Sequence, residues 1–280
     1  MAQSTSEPVP AKPSVVLDHL AFAVTSWTDP RDVLVDALHG RWRYGIRTPA
    51  FNACQLAYGN NTRIELLTEP DRGGSFVGKF LAAGPNRPHH ITFKTDNLRA
   101  ILRDVRAFGI EPVLVSLDNP GWHEGFLHPR DTGLGVLIQI AQGDGDPTKG
   151  PGRDLLLPRP WETEPGGEPS ALSYLVVRVR DLDRAARLFC DVLRAERLIV
   201  TDDMVRLRWP SGAHLLLIHE SAYDEGGPYP IGVRGIAVEA AAPAGLPITP
   251  AGMGWSKTEV VPALGVSLLF NSVPVAPALA

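Results

Sequence analysis

The chain has 280 residues, 44% hydrophobic and 21% charged, enough for two domains of ordinary size, which excludes a low-complexity or globally disordered protein. Lys and Arg number 27 against 31 Asp and Glu, a formal charge of −4, so no positive surplus exists to hold a phosphate backbone and nucleic acid is not expected as a partner. Its two cysteines, Cys54 and Cys190, form no CxxC pair; neither a disulfide scaffold nor a thiolate zinc site is available, and a reducing cytoplasm is the expected compartment.

Residues 1–14 read as a loose N-terminal tail without the basic-then-apolar order of a secretory signal. No apolar run reaches the roughly 18 residues of a membrane span, so no membrane partner is expected. LDHLAFAV at 17–24 alternates like a half-buried strand. PRDVLVDALHG at 30–40 then predicts a helix with Val33, Leu34, Ala37 and Leu38 on one face and Gly40 as its stop. Strand-like runs follow at about 51–58 and 62–68. The order recurs: HHITFKT at 89–95 is a strand, Asp96 caps a helix carrying Leu98, Ile101, Leu102 and Val105, and extended segments follow near 111–116, 125–128 and 134–141.

Residues 143–170 lose all hydrophobic period and read as an interdomain linker; the GDGDP within them lacks the spacing and terminal Glu of a calcium loop. A third copy opens with LSYLVVRV at 172–179, continues into a helix with Leu182, Ala186, Phe189 and Leu193 on one face, and predicts strands near 204–209 and 213–219. GIAVEA at 235–240 opens a fourth, whose helix is interrupted by prolines in AAAPAGLPITPAG. Residues 171–274 thus form a second domain matching residues 15–142, and 275–280 a C-terminal tail. A strand, a crossover helix and a small antiparallel sheet cannot bury both faces alone. The expected fold is therefore α+β, with βαβββ modules paired into two cup-shaped mixed sheets.

The opening strands of the first two copies carry His19 and His90, and their closing strands, TRIELLTEP and GVLIQIAQ, carry Glu65 and Gln139 at similar spacing. Equivalent strand positions of two repeats converge on one cup. Two imidazoles, a carboxylate and an amide oxygen suit a divalent ion with a position left open for substrate, as a Lewis acid needs. His39, at a predicted helix end, and His214 and His219, in the third copy, read as structural residues, and neither cysteine has a His partner as a nucleophile would.

The repeat, together with GNNTRIELLTEP, PHHITFKTDNL and FLHPRDTGLGVLIQIAQ, resembles the vicinal oxygen chelate superfamily of glyoxalases, epimerases, extradiol dioxygenases and antibiotic-resistance proteins, and is most similar to its methylmalonyl-CoA epimerase branch. The resemblance implies one divalent metal per chain (Fe, Co, Mn, Ni or Zn) held by His19, Glu65, His90 and Gln139. His89 is expected on the opposite strand face by pleat alternation. Gln139 stands where the family usually has Glu, and Glu65 where the epimerases commonly have Gln. The resemblance places an additional Glu on the strand leading into the GNT segment, but residues 41–58 contain no Asp, Glu or His, so one of an epimerase's two bases is missing, and proton transfer falls to Glu65, to metal-bound hydroxide, or to His123 and Glu124 in the PGWHEGFLHP loop. From that loop Trp122, His123 and His128 are candidate substrate-binding residues. The equivalent positions of the second domain, Tyr174, Leu216, Gly235 and Leu269, offer no ligand set.

The expected function is a metal-dependent enzyme stabilising an enolate or oxyanion of a small carbonyl or acyl substrate, of the isomerase and epimerase or the lyase and cyclase type. Two alternatives stay open: a non-haem Fe(II) oxygenase, and a binding or drug-sequestering protein. Exposed edges of the curved sheets predict a homodimer.

Overall fold

The computed structural model describes residues 12–119, 121–143, 155–222, 231–239, 242, 247–252 and 255–271. The tail before residue 12, the start of the linker at 144–154, the interrupted fourth crossover and the C-terminal tail lie outside the described residues.

The first half runs β1 (Val15–Ala23), β2 (Arg41–Arg47), β3 (Asn52–Ala57), β4 (Arg63–Thr68), α1 (Phe76–Ala82), β5 (Arg87–Thr95), α2 (Leu98–Ala107), β6 (Val113–Ser116), β7 (Trp122–Leu127), α3 (Pro129–Thr132), β8 (Leu137–Gly143) and β9 (Leu156–Leu157). Its nine described strands form one sheet in the order β6-β7-β8-β5-β1-β4-β3-β2-β9. The opening strands β1 and β5 pair antiparallel at the centre, and each pairs in parallel with the closing strand of its own module, β4 or β8. That arrangement puts the ligand-bearing strands of both copies side by side.

The second half runs β10 (Leu172–Val179), α4 (Leu182–Arg187), β11 (Glu196–Val200), β12 (Met204–Arg208), β13 (His214–His219), β14 (Gly232–Val238), β15 (Thr249–Gly252), β16 (Trp255–Lys257) and β17 (Ser267–Asn271). They make a second mixed sheet with β10 and β14 antiparallel at its centre. Among the described residues no helix is long and apolar enough to cross a membrane.

Both predicted first-module crossover helices close as wide π turns, over Asp32–Ala37 and Leu188–Val192. Leu38 N reaches Val33 O at 3.0 Å, and Leu193 N reaches Leu188 O at 3.2 Å, the same i to i+5 turn at equivalent places in the two halves. Strands β2 (RWRYGIR) and β11 (ERLIV) escape the sequence reading, because charged residues break their hydrophobic alternation. The expected linker is also more than a connector: Leu156–Leu157 extends the sheet edge along β2, and Trp161 is buried edge-on against Trp42.

The helix-side faces of both sheets contribute to one continuous hydrophobic core, in which Phe93 of β5 lies 5.7 Å from Phe189 and 5.0 Å from Trp209 of the other half, ring centre to ring centre. The opposite face of the first sheet is lined by the small residues Ala21, Ala23 and Ala53, over which α1 packs through Val77, Phe80 and Leu81. The cup is thus narrowed at one end by α1 and left open where β1, β4, β5 and β8 meet.

Candidate metal centre

His19, Glu65 and His90 converge in that opening. Glu65 of β4 and His90 of β5 both pair with Ala21, from opposite sides of β1. The methyl of Ala21, fully buried, leaves the space above β1 for their longer side chains. His19 stands one pleat along β1, on the same face. Each of the three offers a ligand atom within 4.8 Å of the others: Glu65 Oε2 is 3.6 Å from both His19 Nε2 and His90 Nε2. Both imidazoles are buried, and His90 Nε2 has no hydrogen-bond partner. An orphaned, buried nitrogen facing a carboxylate and a second imidazole is the donor set that a divalent transition metal takes, so the residues fit such an ion.

Two β-bulges set the imidazoles. The β1–β5 register slips once at Asp18 and once at His89, each time at the residue before a cluster histidine. The first bulge turns Asp18 alongside His19, whose Nδ1 donates to Asp18 Oδ2 at 2.8 Å, while Arg63 grips the same carboxylate at 2.9 Å. The second corrects the expected placement of His89: a bulge suspends pleat alternation, and His89 lies on the cup side with its Nδ1 2.9 Å from His90 Nδ1 and its ring against Phe76 and Phe80 of α1.

The electrostatics separate the two histidines. Burial disfavours a charged His19, but Glu65 and the hydrogen bond to Asp18 outweigh it and hold its pKa up at about 9. His90 is pushed well below 6.5, by burial first and then by His89 and His19. Burial likewise lowers His89 to about 4. Burial works to raise Asp18, yet the hydrogen bond to His19 and the charges of His19 and Arg63 bring it down to about 2. The two rings of the cluster are thus shifted in opposite directions, His19 up and His90 down, and a metal held at His19 Nε2 would require that nitrogen deprotonated.

Gln139 of β8 sits at the edge of the cluster, in register with Thr92. The fully buried Thr92 hydroxyl lies 2.9 Å from His19 Nε2 and donates to Gln139 Oε1 at 2.6 Å. The Gln139 amide donates in turn to Glu124 Oε2 at 2.7 Å, an oxygen that also accepts from Trp122 Nε1 at 2.9 Å. In the first module Gln55, directly opposite Glu65, approaches Glu65 Oε1 at 3.5 Å. Sequence reasoning missed Thr92, Asp18 and Gln55; Thr92 could have been found from its place two residues beyond His90 on the same pleat.

Of the candidate substrate-binding residues, the structure brings Trp122 to the cup, its ring 5.3 Å from the Lys94 ammonium. His123 takes the other face of β7: its strand neighbour Gly125 points at Leu102 of α2, so His123 does not join the cluster. His128 caps α3, its Nδ1 accepting from Arg130 N at 3.2 Å. It also lines a cavity of about 280 Å³ between the two halves, with Phe80, Arg87 and His89 on one wall and Gly232, Val233 and Arg234 on the other. A larger cleft, of about 560 Å³, is lined by Thr28, Asp32, Asp36 and Trp161 and shares no residue with the cluster. Cys54 is buried and Cys190 half-buried, both free thiols with pKa raised by burial. On β2 and β3 the groups facing Glu65 are Tyr44 and Gln55, neither a carboxylate nor an imidazole.

The second sheet repeats this frame without its chemistry. Tyr174 pairs with Ala237 as His19 does with Thr92, Val176 pairs with Leu216 and Gly235 as Ala21 does with Glu65 and His90, and Ala237 pairs with Leu269 as Thr92 does with Gln139. Bulges recur at Ser173 and Arg234. Leu269 fills the space a side chain at Gly235 would need, its Cδ1 2.6 Å from where a Cβ would stand.

No family model matches the chain. It is 27% identical over 150 residues to human mitochondrial methylmalonyl-CoA epimerase, covering 50% of this chain and 84% of that protein. Among solved structures, a mutant 4-hydroxymandelate synthase from Streptomyces coelicolor matches with a TM-score of 0.60 at 12% identity over 95% of each chain. The Mn(II)-bound glyoxalase from Novosphingobium aromaticivorans matches with a TM-score of 0.55 at 14% identity, over 91% of this chain and 80% of that one. These two likenesses establish the tandem fold. The paired βαβββ modules and the similarity to an epimerase together support the vicinal oxygen chelate superfamily for this chain.

Proposed function

We propose that the chain is a divalent-metal enzyme that stabilises the enolate or oxyanion of a small carbonyl or acyl substrate, of the isomerase or lyase type. The observation that carries this reading is the buried His19–Glu65–His90 cluster with its unpartnered His90 Nε2. A divalent ion held by these residues, with Gln139 Oε1 beside them, would supply Lewis-acid stabilisation of the negative charge that develops on a substrate oxygen. The protein's own part is to orient and to move protons. Asp18 and His89 fix the two rings through their Nδ1 atoms, which leaves both Nε2 atoms toward the centre. Glu65, 14% exposed at its side chain, is the cluster's carboxylate and the residue placed to carry a proton to or from substrate. With Tyr44 and Gln55 facing it across β3 and β2, proton transfer runs on one face of the substrate through Glu65. The remainder of a substrate would extend into the interdomain cavity bordered by His89 and His128.

Elemental analysis of the purified protein should find about one divalent metal per chain, and His90→Ala or Glu65→Ala should remove metal and turnover together. Full turnover by either metal-free variant would refute the reading. A second reading, a non-haem Fe(II) oxygenase, draws on the same two imidazoles and one carboxylate, the ligand set that such iron centres use. Iron in anaerobically purified protein, with substrate-dependent oxygen uptake, would favour it over the isomerase.

A further inference from the structure

We propose that Glu124 is a positioning residue that locks the amide of Gln139 with its oxygen toward the His19–Glu65–His90 cluster. The proposal rests on the metal-centre reading and deepens it, since it says how a neutral side chain serves at a position where the family resemblance leads one to expect a carboxylate.

A glutamine amide has a donating and an accepting end of nearly the same shape, and only its partners decide which way it faces. An ionised carboxylate can only accept. Gln139 meets Glu124 Oε2 at 2.7 Å, so its NH2 must face Glu124 and its carbonyl must face inward. The same oxygen of Glu124 is held by the Trp122 indole N–H at 2.9 Å, and Trp122, Glu124 and Phe126 share one face of β7 by pleat alternation. On the other side of the amide, the Thr92 hydroxyl donates to Gln139 Oε1 at 2.6 Å. Every role in the series Trp122, Glu124, Gln139, Thr92 is consistent with the acceptor at Glu124. Turning the amide over would set its carbonyl against a carboxylate and its NH2 against the cluster, where a donor cannot bind a cation.

The first module shows the complementary arrangement. There the inner group is the carboxylate Glu65 and the group behind it is the amide Gln55, 3.5 Å away. In the second module the inner group is the amide and the group behind it the carboxylate. Each oxygen-bearing position is thus backed by the opposite kind of side chain, and the inner set keeps a single carboxylate.

The test is Mn(II) binding to the apo full-length chain, read from the electron paramagnetic resonance signal of the free ion, with the visible absorption of the Co(II) form as a second readout. Glu124→Ala should raise the Mn(II) Kd by about 10–100-fold and change the Co(II) bands, with the thermal melting of the apo protein as the check on folding. Glu124→Gln, whose carbonyl still accepts from the Gln139 NH2, should stay closer to the parent than Glu124→Ala does. In a Gln139→Glu background there is no amide to orient, so adding Glu124→Ala should cost no affinity. Equal loss in both backgrounds, or parental Mn(II) affinity in Glu124→Ala, would overturn the proposal. The His90→Ala control separates the two levels. If it too binds Mn(II) like the parent, the metal-centre reading itself fails; if it loses Mn(II) while Glu124→Ala does not, only the positioning role fails.

Discussion

His19 and His90 share one carboxylate yet have unlike neighbours, Asp18 behind the first and His89 behind the second. Against burial, Glu65 and then Asp18 hold the pKa of His19 up, whereas burial, then His89 and His19, push that of His90 down. His214, in the half without ligands, shows the same physics away from the centre. Burial, then the nearby Arg206 and Arg208 cations, lower it to about 4, and Arg206 donates to its Nδ1 at 3.0 Å. Its ordinary value is 6.5, so between pH 6.5 and about 4 the unfolded chain takes up a proton there that the folded chain refuses. Folding stability must fall as pH drops through that window. In pH-dependent thermal melts His214→Asn should lose less stability than the parent across it, and superimposable profiles would contradict the assignment. At this scale the sequence was legible where chemistry is local. His19, Glu65 and His90 were grouped from repeat-equivalent positions, whereas His123 was taken from a loop reading of PGWHEGFLHP that the structure replaces with strand β7, and the face of His89 was counted through a bulge.

The elements owe their register to turns and bulges that hydrophobic patterns do not encode. The hairpin joining β3 to β4 turns on Asn60 and Asn61 with φ of 54° and 59°, a left-handed pair that suits asparagine and matches the twist of the flanking strands. This turn sets the pairing of Gln55 with Glu65. Asn60 Nδ2 also donates to Leu172 O of the second half at 2.9 Å. Asn60→Ala should therefore cost about 1–2 kcal/mol in chemical denaturation, and a loss no larger than that of an exposed strand substitution would show the turn to be unimportant. The strand that follows this turn was readable in the sequence as the run at 62–68. The bulges at Asp18 and His89 were not, since each adds a residue to an alternation that otherwise continues on either side of it.

Across the whole molecule, the two halves pack on one another through a common interior. Phe93 packs against Phe189 and Trp209, Arg194 pairs with Asp104, and Gly59 bridges to Ala171. Phe189→Ala should cost about 3–5 kcal/mol and lower a single unfolding transition in which both halves melt together; two resolved transitions, with only the second displaced, would show the halves to be independent. The matching rungs of the second sheet carry an architectural consequence. Tyr174, Leu216, Gly235 and Leu269 occupy the lattice points that His19, Glu65, His90 and Gln139 hold in the first sheet, and the offsets at Ser173 and Arg234 stand beside them. The same backbone scaffold thus carries a potential ligand set in one half and none in the other, so its spacing is set by strand pairing and not by the side chains at the rungs.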